Sequence, residues 1–302
     1  MRMEITQAPF SSSLMGVIRG VADYFDVDLS TPSLYGRTGH AFFMNIHEAI
    51  CPSGPYCWNI DPFIALLENC GIRMKKYGFF SGESTMEERN ILEKTILSEL
   101  EKGNPCSVLN MDHQLITGFD GSGFLCTQPW ECSNPPAHLT FGNWDEWEEE
   151  IHACFYSFEK IELPDSHYAI QQSLQFVRDL NENPSGHTMK PYTCGVAGYD
   201  IWLKGVKKGY GSEHGNWWNG TVWSECRKQG ALYFGEIAGD YPTSSLISLK
   251  LQSLFHQIGD ILFLVSDKKL EKKKKIDLLT EAKELEEKVL PALVNLANLI
   301  ES

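Results

Sequence analysis

The sequence predicts an α+β protein: an α+β domain over residues 1–163, followed by an all-α helical domain over residues 164–302. Three observations carry this prediction. A chain of 302 residues suits one large or two ordinary domains. Before Pro164, helical segments come first, and short apolar runs broken by Asp-Gly and Ser-Gly turns come later. That order belongs to an α+β domain and not to an alternating, doubly wound sheet. After Pro164, nearly every segment repeats its apolar residues with helical period.

The elements follow in order. Ser11, Ser12 and Ser13 suit the cap of a helix over 14–25, whose stripe is Leu14, Val17, Ile18, Val21 and Phe25. The Gly- and Pro-rich stretch that follows reads as turns around one or two short strands, including one over 41–46. Pro62 opens a helix over 63–70, and Gly71 is placed to end it. A helix over 87–100 is expected to turn Ile91, Thr95, Ile96 and Leu100 inward. Strands are expected over 106–109, 114–119, 123–127 and 155–161. Helices are expected over 168–181, 196–207, 219–238, 244–265 and 276–300, with Pro291 kinking or restarting the last.

Charge narrows the partners. Residues 1–160 carry 10 Lys and Arg against 22 Asp and Glu, while residues 161–302 carry 16 against 18. A phosphate backbone is repelled by the acidic half, so nucleic acid is not an expected partner. "SDKKLEKKKKID" holds six lysines and reads as a solvated connector between two helices. No apolar run is long enough to span a membrane, and the first ten residues lack the apolar core of a signal peptide. A cytoplasmic protein without a membrane partner is the expectation. The nine cysteines form no CxxC pair, and His40, His47 and Glu48 lack the HExxH spacing. Neither a metal nor a cofactor is therefore expected.

One ordered set of residues points to chemistry. One form of nucleophilic site combines a nucleophile at a helix N-terminus, a basic histidine, a polar side chain that orients it, and an oxyanion donor. Ser13 opens the first helix, and Gln7 lies six residues before it. His113 begins a strand, and Gln128 follows one strand later. The roles expected are Ser13 as nucleophile, His113 as base, Gln128 as its orienter and Gln7 as oxyanion donor. Gly39 and His40, in "GRTGHAFFMNIHE", and Trp130, beside Gln128, are expected to contact substrate.

Gln7, Ser13, "HQLITGFDG" over 113–121 and "QPW" over 128–130 together resemble the papain-like cysteine-peptidase superfamily. They are similar to its bacteriocin-processing peptidase domains and to the N-terminal domain of butirosin biosynthesis protein H. That resemblance covers about half of the chain. It implies a papain-like first domain and an amide- or acyl-transfer activity, as a hydrolase or acyltransferase. The substrate class is a small molecule, a peptide or a carrier-bound acyl group.

Two departures stand out: serine replaces the cysteine nucleophile, and Gln128 replaces the acid or amide behind the histidine. A hydroxyl ionises far less readily than a thiol, and a glutamine supplies no charge to an imidazolium. Two readings therefore stand together. One is an enzyme using Ser13, His113 and Gln128. The other is a catalytically inactive relative that binds a small molecule or peptide or serves as a scaffold, with Ser13 as a helix cap and His113 as an ordinary strand-end residue. A third assignment makes Cys51 or Cys57 the nucleophile.

Overall fold

A computed structural model describes residues 1–130, 136–147, 152–212 and 214–301. Along the chain run α1 (Ser13–Tyr24), α2 (Thr31–Arg37), β1 (Asn45–His47), α3 (Asp61–Leu67), β2 (Ile72–Ser81) and α4 (Met86–Glu101). Then come β3 (Cys106–Asn110), β4 (Asp112–Phe119), β5 (Gly123–Cys126), β6 (His138–Thr140), β7 (His152–Lys160) and α5 (Ser166–Glu182). Last are β8 (Tyr192–Cys194), α6 (Val196–Lys208), α7 (Gly215–Asp240), α8 (Ser245–Val265) and α9 (Lys272–Glu301). The expected mixed α+β class is the class observed. No helix among the described residues is long and apolar enough to cross a membrane.

The chain forms two compact units. The first joins Met1–Leu29 to Gly71–Leu163, and the second joins Ser30–Cys70 to Pro164–Ser302. One break between the units falls between Leu163 and Pro164. Residues 30–70 belong to the second unit with the later helices. The physical reason is local. Arg37 donates to Asn69 O at 3.4 Å and to Ser166 Oγ at 2.7 Å, and Ser30 and Ser33 both donate to Glu236.

In the first unit an antiparallel sheet of order β2-β7-β3-β4-β5-β6 carries α1 and α4. β3 and β4 make a tight hairpin that pairs Asn110 with Asp112 around Met111, whose φ is +62°. The core includes Val17, Ile18, Leu92, Ile96, Val108, Ile116, Phe124 and Phe155. Two expectations need correction. Ile91 is 59 % exposed, because the inner face of α4 is Leu92, Ile96 and Leu100. β2 was not foreseen, since "IRMKKYGFFS" mixes three cations with its apolar residues. It is an edge strand, where exposed cations are tolerated.

The second unit is helical apart from the short pair β1–β8. The strand expected over 41–46 is only Asn45–His47, because residues 38–42 turn directly after α2. α7 and α8 lie close together, with Gly220, Gly230 and Gly259 at their contacts. α9 continues through Pro291 as one helix and does not restart there. Arg227 ties this unit together, donating to Ala41 O, to Phe43 O and to Glu286. Lys283 pairs with Asp200 at 2.7 Å, and Tyr35 donates to Glu225 at 2.6 Å.

Candidate functional site

The N-terminal segment reaches the sheet by crossing α1. The backbone of Thr6–Ala8 lies against Gly16 and Gly20, and a Cβ on Gly16 would meet Ala8 O at 2.3 Å. Only glycine allows this approach, and it delivers Gln7 between α1 and β4. There the Gln7 amide donates to Ser13 O at 3.3 Å and to His113 O at 2.8 Å. Its oxygen accepts from Leu115 N at 3.0 Å and from Thr127 Oγ1. Gln7 and Ser13 thus meet at the main chain of His113.

Ser13 is the first residue of α1 and is fully buried. The helix N-cap is Ser12, and it makes no side-chain cap bond. The Ser13 hydroxyl donates to Asp112 Oδ1 at 3.1 Å and accepts from His113 N at 3.0 Å. It is therefore engaged by a carboxylate and a main-chain amide. The His113 side chain is buried, with its ring 6.0 Å from that of Tyr156.

The backbone explains this arrangement. β5 pairs with β4 only over Ile116–Phe119, so the first half of β4 extends past its neighbour. Buried main-chain groups in such a position must find other partners. Ser13 Oγ, Gln7 Nε2 and Gln7 Oε1 serve as those partners for His113 N, His113 O and Leu115 N. Both amide hydrogens of Gln7 point to main-chain carbonyls, so its geometry is that of a clamp and not of an oxyanion donor.

Gln128 and Trp130 lie half-buried in irregular chain after β5. Gly39 and His40 fall in the second unit. Gly39 has φ +73°, and a Cβ there would meet the Phe176 ring at 2.4 Å. His40 is only 2 % exposed, among Tyr35, Trp58, Phe63 and Trp223 with ring centroids 5.8–6.3 Å away. Burial, and then the nearby Arg227 cation, lower the His40 pKa to about 3. This imidazole is packed as a neutral aromatic.

Cys51 and Cys57 are half-buried free thiols in the turn beside Tyr192, whose hydroxyl bonds Ser53 Oγ at 2.8 Å. Among the described residues no three His, Cys, Asp or Glu side chains converge as a metal site. Asp112, Thr127 and Gln114 were not singled out in the sequence. Gln114 holds Thr127 O and Pro136 O at 2.6 and 2.7 Å. The one signal that was available is the Asp-His pair directly after the Asn110–Met111 turn.

The chain matches no protein-family model and no curated protein.

Proposed function

We propose that this chain is a catalytically inactive papain-like relative that acts as a small-molecule or peptide binding or scaffold protein. One observation carries the reading: Gln7 and Ser13, the expected oxyanion donor and nucleophile, spend their polar atoms on β4, Asp112 and the main chain of Ser13. A carboxylate is a weak base toward a hydroxyl, and a buried hydroxyl is closed to a substrate. A groove of about 340 Å³ between β2 and α4, with Tyr77, Phe79, Phe80, Ile91 and Leu92 among its lining, offers the first unit a binding place. The eight described cysteines are free thiols, which supports a reducing compartment such as the cytoplasm.

The test is turnover of activated acyl esters and acyl thioesters by the intact chain and by Ser13→Ala. Both are expected to match the uncatalysed rate. A rate above background that disappears in Ser13→Ala refutes the proposal. It would favour the second reading, an amide- or acyl-transfer enzyme, which is supported by the bonds that Gln7 and Ser13 make to the main chain of His113.

A further inference from the structure

The second unit carries a concentrated basic surface in a chain whose net charge is −14. Two segments far apart in sequence build it. The last turn of α6 presents Lys207 and Lys208. The connector after α8 presents Lys268 and Lys269, and the first turn of α9 presents Lys272, Lys273 and Lys274. All seven are exposed. Lys272 Nζ donates to Lys207 O, which brings the two segments side by side. Among the described residues none of the seven forms an ion pair with a carboxylate. The connector's own acids, Asp267 and Glu271, are outnumbered.

Exposed apolar side chains accompany these cations. Lys268 lies over the Trp217 ring at 4.4 Å, and Lys208 over Tyr210 at 5.6 Å. Tyr210 is exposed, as are Leu264 and Phe263, the latter with Lys228 over its ring at 4.7 Å, in the last turn of α8, directly before the connector. Unpaired lysines with amphipathic aromatics and exposed aliphatics match the boundary of headgroups and acyl chains. A nucleic acid would use the lysines but leave Phe263 and Leu264 without a role.

We propose that this end of the second unit binds the surface of an anionic phospholipid bilayer. The lysines attract the headgroups, and the apolar side chains enter the interface. Contact is local, so acidic groups more than a Debye length away are screened from it. The reading is independent of the role of Ser13, and it revises the expectation of a merely solvated connector and of no membrane partner.

Vesicle co-sedimentation of the full chain tests it, using phosphatidylcholine vesicles with and without phosphatidylserine. Binding is expected only with phosphatidylserine, and it should weaken at high salt. The triple variant Lys269→Gln, Lys273→Gln, Lys274→Gln alters side chains that make no hydrogen bond among the described residues, so it should keep the circular dichroism of the parent. It should lose roughly two orders of magnitude in vesicle affinity. Absence of binding to phosphatidylserine vesicles, equal binding to neutral ones, or undiminished binding by the triple variant overturns the proposal. Displacement from the vesicles by substoichiometric single-stranded RNA also overturns it and assigns the surface to nucleic acid.

Discussion

Replacing Gln7 with alanine separates a clamp from a catalytic donor. The Gln7 amide serves Ser13 O, His113 O and Leu115 N at 3.3, 2.8 and 3.0 Å, and it also meets Thr127 Oγ1. Truncation does not cost all of these bonds equally. Leu115 N keeps Thr127 Oγ1 at 3.0 Å. The acceptor most affected is His113 O, which loses a buried donor at 2.8 Å. Losing one such bond costs about 1–3 kcal/mol, and the vacated side-chain volume raises the total to about 2–4 kcal/mol. Hydrogen exchange on peptides covering β4 reads this locally: protection there should fall roughly thirty- to thousandfold. Urea unfolding should show a lower midpoint with an unchanged slope. The reasoning is refuted if Gln7→Ala leaves β4 protection and the urea midpoint at parent values.

Further expectations follow from the same contacts. Ala at Gly16 places a Cβ 2.3 Å from Ala8 O, so the N-terminal segment must shift; a loss of about 1–3 kcal/mol is expected in urea unfolding. Arg227→Met leaves Glu286 buried without its cation and should cost about 3–5 kcal/mol, while adding Glu286→Leu should recover much of that loss in thermal unfolding. His40 has a folded pKa of about 3 against an ordinary value of 6.5. Its contribution to stability is therefore fully present above pH 6.5 and is lost as pH falls toward 3, by up to about 1.4 kcal/mol for each pH step of one. His40→Phe should flatten the stability profile in that window, and an unchanged slope would show that another group sets it.

How far the sequence could be read depended on where its signals were local. Helices with a clear stripe were legible: Ile258, Ile261 and Val265 mark α8, and Leu293 and Leu296 mark α9. β2 was hidden, because an edge strand needs no alternating apolar pattern and its Arg73, Lys75 and Lys76 face solvent. The packing of residues 30–70 with the later helices rests on pairs such as Arg37–Ser166 and Arg227–Ala41, which span 129 and 186 residues and leave no trace in local spacing. In the candidate site, Gln7, Ser13 and His113 were found as an ordered set. Their use was not legible, because it depends on β4 outrunning β5. Asp112 went unnoticed because its partner hydroxyl lies 99 residues away. Gly39 and His40 looked like a ligand loop; the same small and aromatic residues instead pack into the core of the second unit.

The central claim is that the Ser13 hydroxyl ties β4 to α1 and does not attack substrate. Its most direct test is intact-protein mass spectrometry after prolonged exposure to a fluorophosphonate probe, followed by peptide mapping. The account predicts no adduct on the peptide that contains Ser13. A stoichiometric adduct at Ser13 that is lost in a folded His113→Ala variant would contradict it.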